Sequence, residues 1–150
     1  MVERRLHPRH FFTEEEKHHI VKAIHKAESE TSGEIRVYLG AKGKDEVMKR
    51  ARKVFEKLGM TKTKHRNGVL IFLSLEDKRF AILGDKGIHE KLPVDFWDGI
   101  VKHMSQRFKE DRFAEGIQEA ILMAGEKLKR HFPKEPGDVN ELPDNISYPH

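Results

Sequence analysis

One run of residues limits the fold more than any other. Gly68 to Ser74, GVLIFLS, carries no charge and ends on its only polar side chain. An apolar run of that length predicts a strand buried on both faces. Glu76-Asp77 then supplies a tight polar turn, and Lys78 to Leu83 alternates. Phe80 and Ile82 share one face of this second strand, with Arg79, Ala81 and Leu83 on the other. The pair predicts an antiparallel hairpin. It opens into Gly84-Asp85-Lys86-Gly87, a loop framed by glycines around one carboxylate. Loops placed by a rigid scaffold commonly carry binding sites.

The flanking segments predict helices and one more strand. Thr13-Glu14-Glu15-Glu16 has the form of a capping box, in which the Thr13 hydroxyl and the Glu16 carboxylate satisfy each other's backbone amides. Ile20, Ile24 and Ala27 continue it as an apolar stripe, and Thr31-Ser32-Gly33 ends the helix near Glu30. Glu34 to Leu39 alternates as a strand. A second helix spans about Asp45 to Leu58, with Lys49, Arg50, Arg52, Lys53 and Lys57 on its outer face. A third starts after Pro93 and presents Phe96, Trp97, Ile100, Met104 and Phe108. A fourth carries Phe113, Ile117, Ile121 and Leu128. Residues 1–12 form an N-terminal arm, residues 13–132 an α/β domain, and residues 133–150 a polar tail punctuated by Pro133, Pro136, Gly137, Pro143 and Pro149. That tail either wraps the domain through Val139, Leu142, Ile146 and Tyr148 or stays loose. A helix between strands one and two makes them parallel. The expected fold is therefore α/β: a small mixed β-sheet, parallel pair plus hairpin, sandwiched between α-helices.

Charge and composition narrow the function. The 150 residues include no cysteine, which removes disulfides and thiolate metal sites and fits a reducing compartment. No apolar run suits a secretory signal or reaches the roughly 18 residues of a membrane span. With 36% charged residues, the expectation is a soluble, cytoplasmic monomer with no membrane span. The net charge of +4 is uneven: Lys42 to Arg66 alone nets +7. Glu56 interrupts this basic face and no exposed aromatics interleave it, so no specific nucleic-acid partner is expected. The face remains available to a protein partner. Among ten histidines, His7, His10, His18 and His19 form no ligand pattern. Ser32 has no evident activating histidine.

Topology brings one set of oxygens together. The starts of strands one and two and the end of strand three fall at the same end of the sheet. Glu34, Asn67 and Asp85 lie there, and Asp95 joins them if the loop before helix three folds over. Hard cations such as Ca²⁺ take carboxylate and amide oxygens of this kind. The same residues also serve as ordinary turn formers and helix-start carboxylates. Gly84 to Gly87, with Lys86, alternatively offers amides to a phosphate, although its spacing is not that of a P-loop.

Thr31-Ser32-Gly33-Glu34-Ile35-Arg36-Val37, Asn67-Gly68-Val69-Leu70-Ile71, Gly84-Asp85-Lys86-Gly87-Ile88 and Phe113-Ala114-Glu115-Gly116-Ile117 follow one another in that order. Together they resemble the TPM domain family over about residues 10 to 132. Asp95-Phe96-Trp97-Asp98 and Gly137-Asp138-Val139-Asn140-Glu141-Leu142-Pro143 are most similar to small stand-alone bacterial members. The resemblance implies a helix–sheet–helix sandwich and calcium binding. A thylakoid-lumen member described as an acid phosphatase adds metal-assisted phosphatase activity as an alternative. A protein–protein adaptor is the third reading. Many bacterial relatives carry a membrane span and a glycine-rich tail, and this chain departs from them in both.

Overall fold

The computed structural model of the protein describes residues 7–40, 45–93, 95–137 and 145–149. A short 3-10 turn, Pro8–His10, leads into α1 (Glu14–Glu28), β1 (Glu34–Gly40), α2 (Val47–Lys57), β2 (Gly68–Ser74) and β3 (Arg79–Gly84). Then come α3 (Lys86–Lys91), α4 (Asp98–Lys109), α5 (Phe113–His131) and β4 (Ile146–Ser147). The strands form one open sheet in the order β3-β2-β1-β4. β1 runs parallel to both β2 and β4, and β2 and β3 are the antiparallel hairpin.

The mixed sheet between helices follows from the side-chain pattern. Every residue of β2 is buried. Val69, Ile71 and Leu73 join Ile35, Val37, Leu39 and Ile82 in a core closed by α1, α4 and α5. Leu70 and Phe72 point to the other face, where Tyr38, Ala81 and the Ala51 and Phe55 side chains of α2 meet them. The predicted capping box of α1 is present in both directions, at 3.1 Å to the Thr13 hydroxyl and 3.0 Å to the Glu16 carboxylate. Helices α1 and α5 approach closely at Gly125, where a Cβ would stand 2.7 Å from that of Ala27.

Three local expectations change, and the tail adds a strand. The glycine-framed loop after β3 is instead the start of α3, because the Asp85 side chain accepts the Lys86 amide and caps it. Helix α4 begins at Asp98, not after Pro93, leaving Phe96 buried and Trp97 half-buried in the turn ahead. Arg50 does not belong to the outer face of α2. Its guanidinium stacks 5.3 Å from the Phe72 ring and donates to Ser74 and Asp77 at 2.7 and 2.8 Å. The tail contributes β4, with Ile146 opposite Val37 and Ser147 opposite Tyr38. Val139, Leu142 and most of the Gly137–Pro143 motif lie outside the described residues, as do residues 1–6 of the arm and 41–44 after β1.

The hairpin turn is longer than Glu76-Asp77 suggests. It spans Leu75 to Lys78, closed by the Lys78 amide on the Leu75 carbonyl at 3.3 Å, and Lys78 sits at φ +54°. The left-handed region costs a residue with a Cβ about 1–2 kcal/mol, and glycine avoids that cost at some loss of chain entropy. Lys78→Gly should therefore raise stability by about 0.5–1 kcal/mol, read as a higher urea midpoint at unchanged slope.

Candidate functional site at the start of the parallel strands

Three segments meet where β1 and β2 begin and β3 ends. Register places Glu34 opposite Gly68, and Val69 opposite Gly84. The Glu34 amide donates to the Asn67 carbonyl at 3.4 Å, and the Asp85 amide to the Gly68 carbonyl at 2.9 Å. Gly87 donates to the Arg66 carbonyl at 2.8 Å, which presses α3 onto the turn before β2. The approach is so close that a Cβ on Gly87 would stand 2.1 Å from the His65 carbonyl oxygen.

The approach to β1 is tied just as firmly. The Thr31 hydroxyl donates to the Phe132 carbonyl, and the Ser32 amide reaches the same oxygen at 2.9 Å. The buried Glu28 carboxylate accepts the Ile35 amide at 2.7 Å. These bonds hold the end of α5, the end of α1 and the start of β1 as one unit.

Onto this frame the chain places its polar side chains. Glu34 is 3% exposed, Asn67 1% and Asp85 5%. Asn67 Nδ2 donates to Ser32 Oγ at 3.2 Å, which leaves the side-chain oxygen Oδ1 of Asn67 as an acceptor. Asp85 is held by Arg66 in a two-pronged pair, Nε to Oδ2 at 2.7 Å and Nη2 to Oδ1 at 2.9 Å. The Asp85 carboxylate hydrogen bond raises the Arg66 guanidinium above its ordinary range. Arg66 is itself 43% exposed along its side chain and has φ +51°.

The expected set is thus partly gathered. Glu34, Asn67 and Asp85 are on neighbouring backbone positions. Asp95 is exposed in the turn before α4. That turn touches this end of the sheet through Trp97, whose Cζ2 would lie 3.2 Å from a Cβ on Gly84. Among the described residues, no three His, Asp or Glu side chains stand close enough to hold a metal ion. Sequence reasoning misses Arg66 as the partner of Asp85 and Ser32 as that of Asn67. Arg66 reads only as part of a basic run, and its pairing with a residue 19 positions on has no local signature. His7, His10, His18 and His19 are exposed.

Chemically, the arrangement is a buried carboxylate whose counter-charge is the partly exposed guanidinium of Arg66. No helix among the described residues is long and apolar enough to cross a membrane.

Comparison with known proteins agrees with the motifs. Among solved structures, the chain is similar to the BA42 protein of the psychrophilic bacterium Bizionia argentinensis, at 45% identity and a TM-score of 0.88. That match covers 93% of this chain and 96% of the other. A second, the N-terminal domain of a protein from P. gingivalis, shares the fold at 22% identity and a TM-score of 0.63, covering 81% of this chain and 78% of that one. No curated protein matches the chain significantly. The TPM domain matches residues 7–127, a span that takes in Ser32, Glu34, Arg66, Asn67, Asp85 and Asp95 alike, and the chain belongs to the TPM domain family.

Proposed function

We propose that this end of the sheet binds a divalent cation, Ca²⁺ in preference to Mg²⁺. The observation that carries the reading is the Arg66–Asp85 pair, in which a buried carboxylate is neutralised by a half-exposed guanidinium. An arriving cation takes the place of Arg66 and must offset the loss of its two-pronged bond to Asp85. Asp85 and Glu34 supply charge, the Asn67 amide and Ser32 hydroxyl supply neutral oxygens, and Asp95 closes over from the turn before α4. Ca²⁺ accepts such an irregular oxygen set, whereas Mg²⁺ demands near-octahedral geometry and gives up its water reluctantly.

Melting temperature against calcium concentration tests this. A ligand at 100 times its Kd adds about 2.7 kcal/mol, or on the order of 5–10 °C for a chain of this size. Asp85→Asn should abolish the rise while keeping the fold, because asparagine also caps a helix. Arg66→Gln should shift the response to lower calcium by removing the competing charge. A wild-type midpoint that stays put at millimolar calcium would sink the proposal. An equal rise in wild type and Asp85→Asn would move the cation elsewhere.

A further inference from the structure

The opposite end of the sheet is open to solvent beside the hairpin. A cleft of about 430 Å³ opens beside the carboxyl end of β2 and the hairpin turn. That volume falls in the range of small-molecule sites, and the carboxyl ends of parallel strands are where open α/β sheets receive ligands. Its wall is aromatic. Phe11 meets Phe113 edge-on at 5.4 Å, Phe113 meets Phe108 at 5.3 Å, and Phe108 meets Phe80 edge-on at 5.4 Å. Phe80, Phe108 and Phe113 are only half-buried, so ring surface that a core would cover is left facing the cleft.

The rim carries the opposite chemistry. Lys78, Arg79 and Lys109 line it and are exposed. None of the three forms an ion pair among the described residues, whereas nearby Arg50, Arg107 and Arg112 are all paired with carboxylates. Asp111 is the one acidic residue in the lining, which leaves the rim with a formal excess of two positive charges. Lys78 also keeps its left-handed backbone where glycine would sit more comfortably. Residues held this way recur at ligand clamps.

An apolar aromatic wall below unpaired cations fits one kind of molecule. We propose that the cleft binds a small amphipathic monocarboxylate. Its apolar body lies against Phe80, Phe108 and Phe113, and its carboxylate meets Arg79 and Lys109 at the mouth. Arg79 suits a carboxylate through its planar pair of donors. This reading is independent of the cation site at the other end of the sheet.

Octanoate is the probe, with octanol as its neutral counterpart and acetate as the head without the body. Backbone amide shifts on titration with octanoate should saturate at submillimolar to millimolar concentration. They should cluster at Ser74 to Phe80 and at Ser105 to Phe113. Octanol and acetate should each bind at least about tenfold more weakly, as loss of a charge-assisted contact or of apolar burial requires. The double variant Arg79→Gln, Lys109→Gln alters only exposed side chains and should melt like the wild type, yet bind octanoate about tenfold more weakly. Three results would overturn the assignment: no saturable shift, octanol binding as tightly as octanoate, or an unchanged affinity in the double variant.

Discussion

Ile71→Asp should leave the protein without a cooperative unfolding transition at 25 °C. Ile71 is fully buried at the centre of β2. It sits opposite Val37 on one side and Ile82 on the other, and its side chain enters the core under α1 and α5. Truncating a buried isoleucine costs about 2–5 kcal/mol from lost transfer energy and cavity formation. A carboxylate in that space finds no partner and adds several kcal/mol, whether it stays charged or takes up a proton at the core's expense. Together these reach the whole stability of an ordinary domain, about 5–15 kcal/mol. Amide dispersion in an NMR spectrum and a urea titration report the outcome. Ile71→Val is the control: it keeps the shape of the side chain and should cost only about 0.5–1.5 kcal/mol. A well-dispersed Asp variant with a normal urea midpoint would mean that β2 is not covered on both faces.

Gly87→Ala should cost about 2–3 kcal/mol, the upper part of the range for overpacking. A methyl group there meets the His65 carbonyl oxygen at 2.1 Å and the Arg66 carbonyl oxygen at 2.7 Å. Both are main-chain atoms, so neither can rotate away as a side chain would. Relief requires α3 to lift from the turn, which breaks the hydrogen bond from the Gly87 N–H to the Arg66 carbonyl and pulls Asp85 from its guanidinium partner. Gly99→Ala makes the contrast. A Cβ at Gly99 meets nothing within 4 Å, in the first turn of α4. It should stabilise slightly, by about 0.5–1 kcal/mol, since alanine is the better helix former. Paired urea titrations of the two variants check both signs. If Gly87→Ala is as stable as wild type, α3 does not bear on the turn as described. The same variant should also weaken the proposed calcium response, because lifting α3 carries Asp85 away from the ends of β1 and β2.

Much of the fold was legible because its signals are local. The capping box needs only Thr13 and Glu16, and both hydrogen bonds formed. The two-faced burial of β2 needs only an unbroken apolar run, and the alternation in β3 sorts Phe80 and Ile82 from Ala81 and Leu83 as expected. The parallel β1–β2 pair follows from a helix standing between them. Where sequence and structure differ, the local signal is too short to outweigh its neighbours. Helix α3 has six residues and is framed by glycines, so it resembles a loop. Strand β4 has two residues, too few for any periodicity, and exists because β1 offers an edge for Ile146 and Ser147.

The candidate sites divide along the same line. By itself the sequence determined that Glu34, Asn67 and Asp85 stand at one end of the sheet, since strand order and direction carry them there. Tertiary structure alone decided what those groups touch. Asp85 caps α3 and takes Arg66 as its counter-ion, and Asn67 reaches back to Ser32, a residue 35 positions earlier. The cleft at the other end draws its wall from Phe11, from the hairpin and from the α4–α5 junction, segments that share no spacing rule. Periodicity reports which face a side chain takes within its own element. Which elements face one another, and where they leave space or an unpaired charge, depends on packing between distant parts of the chain.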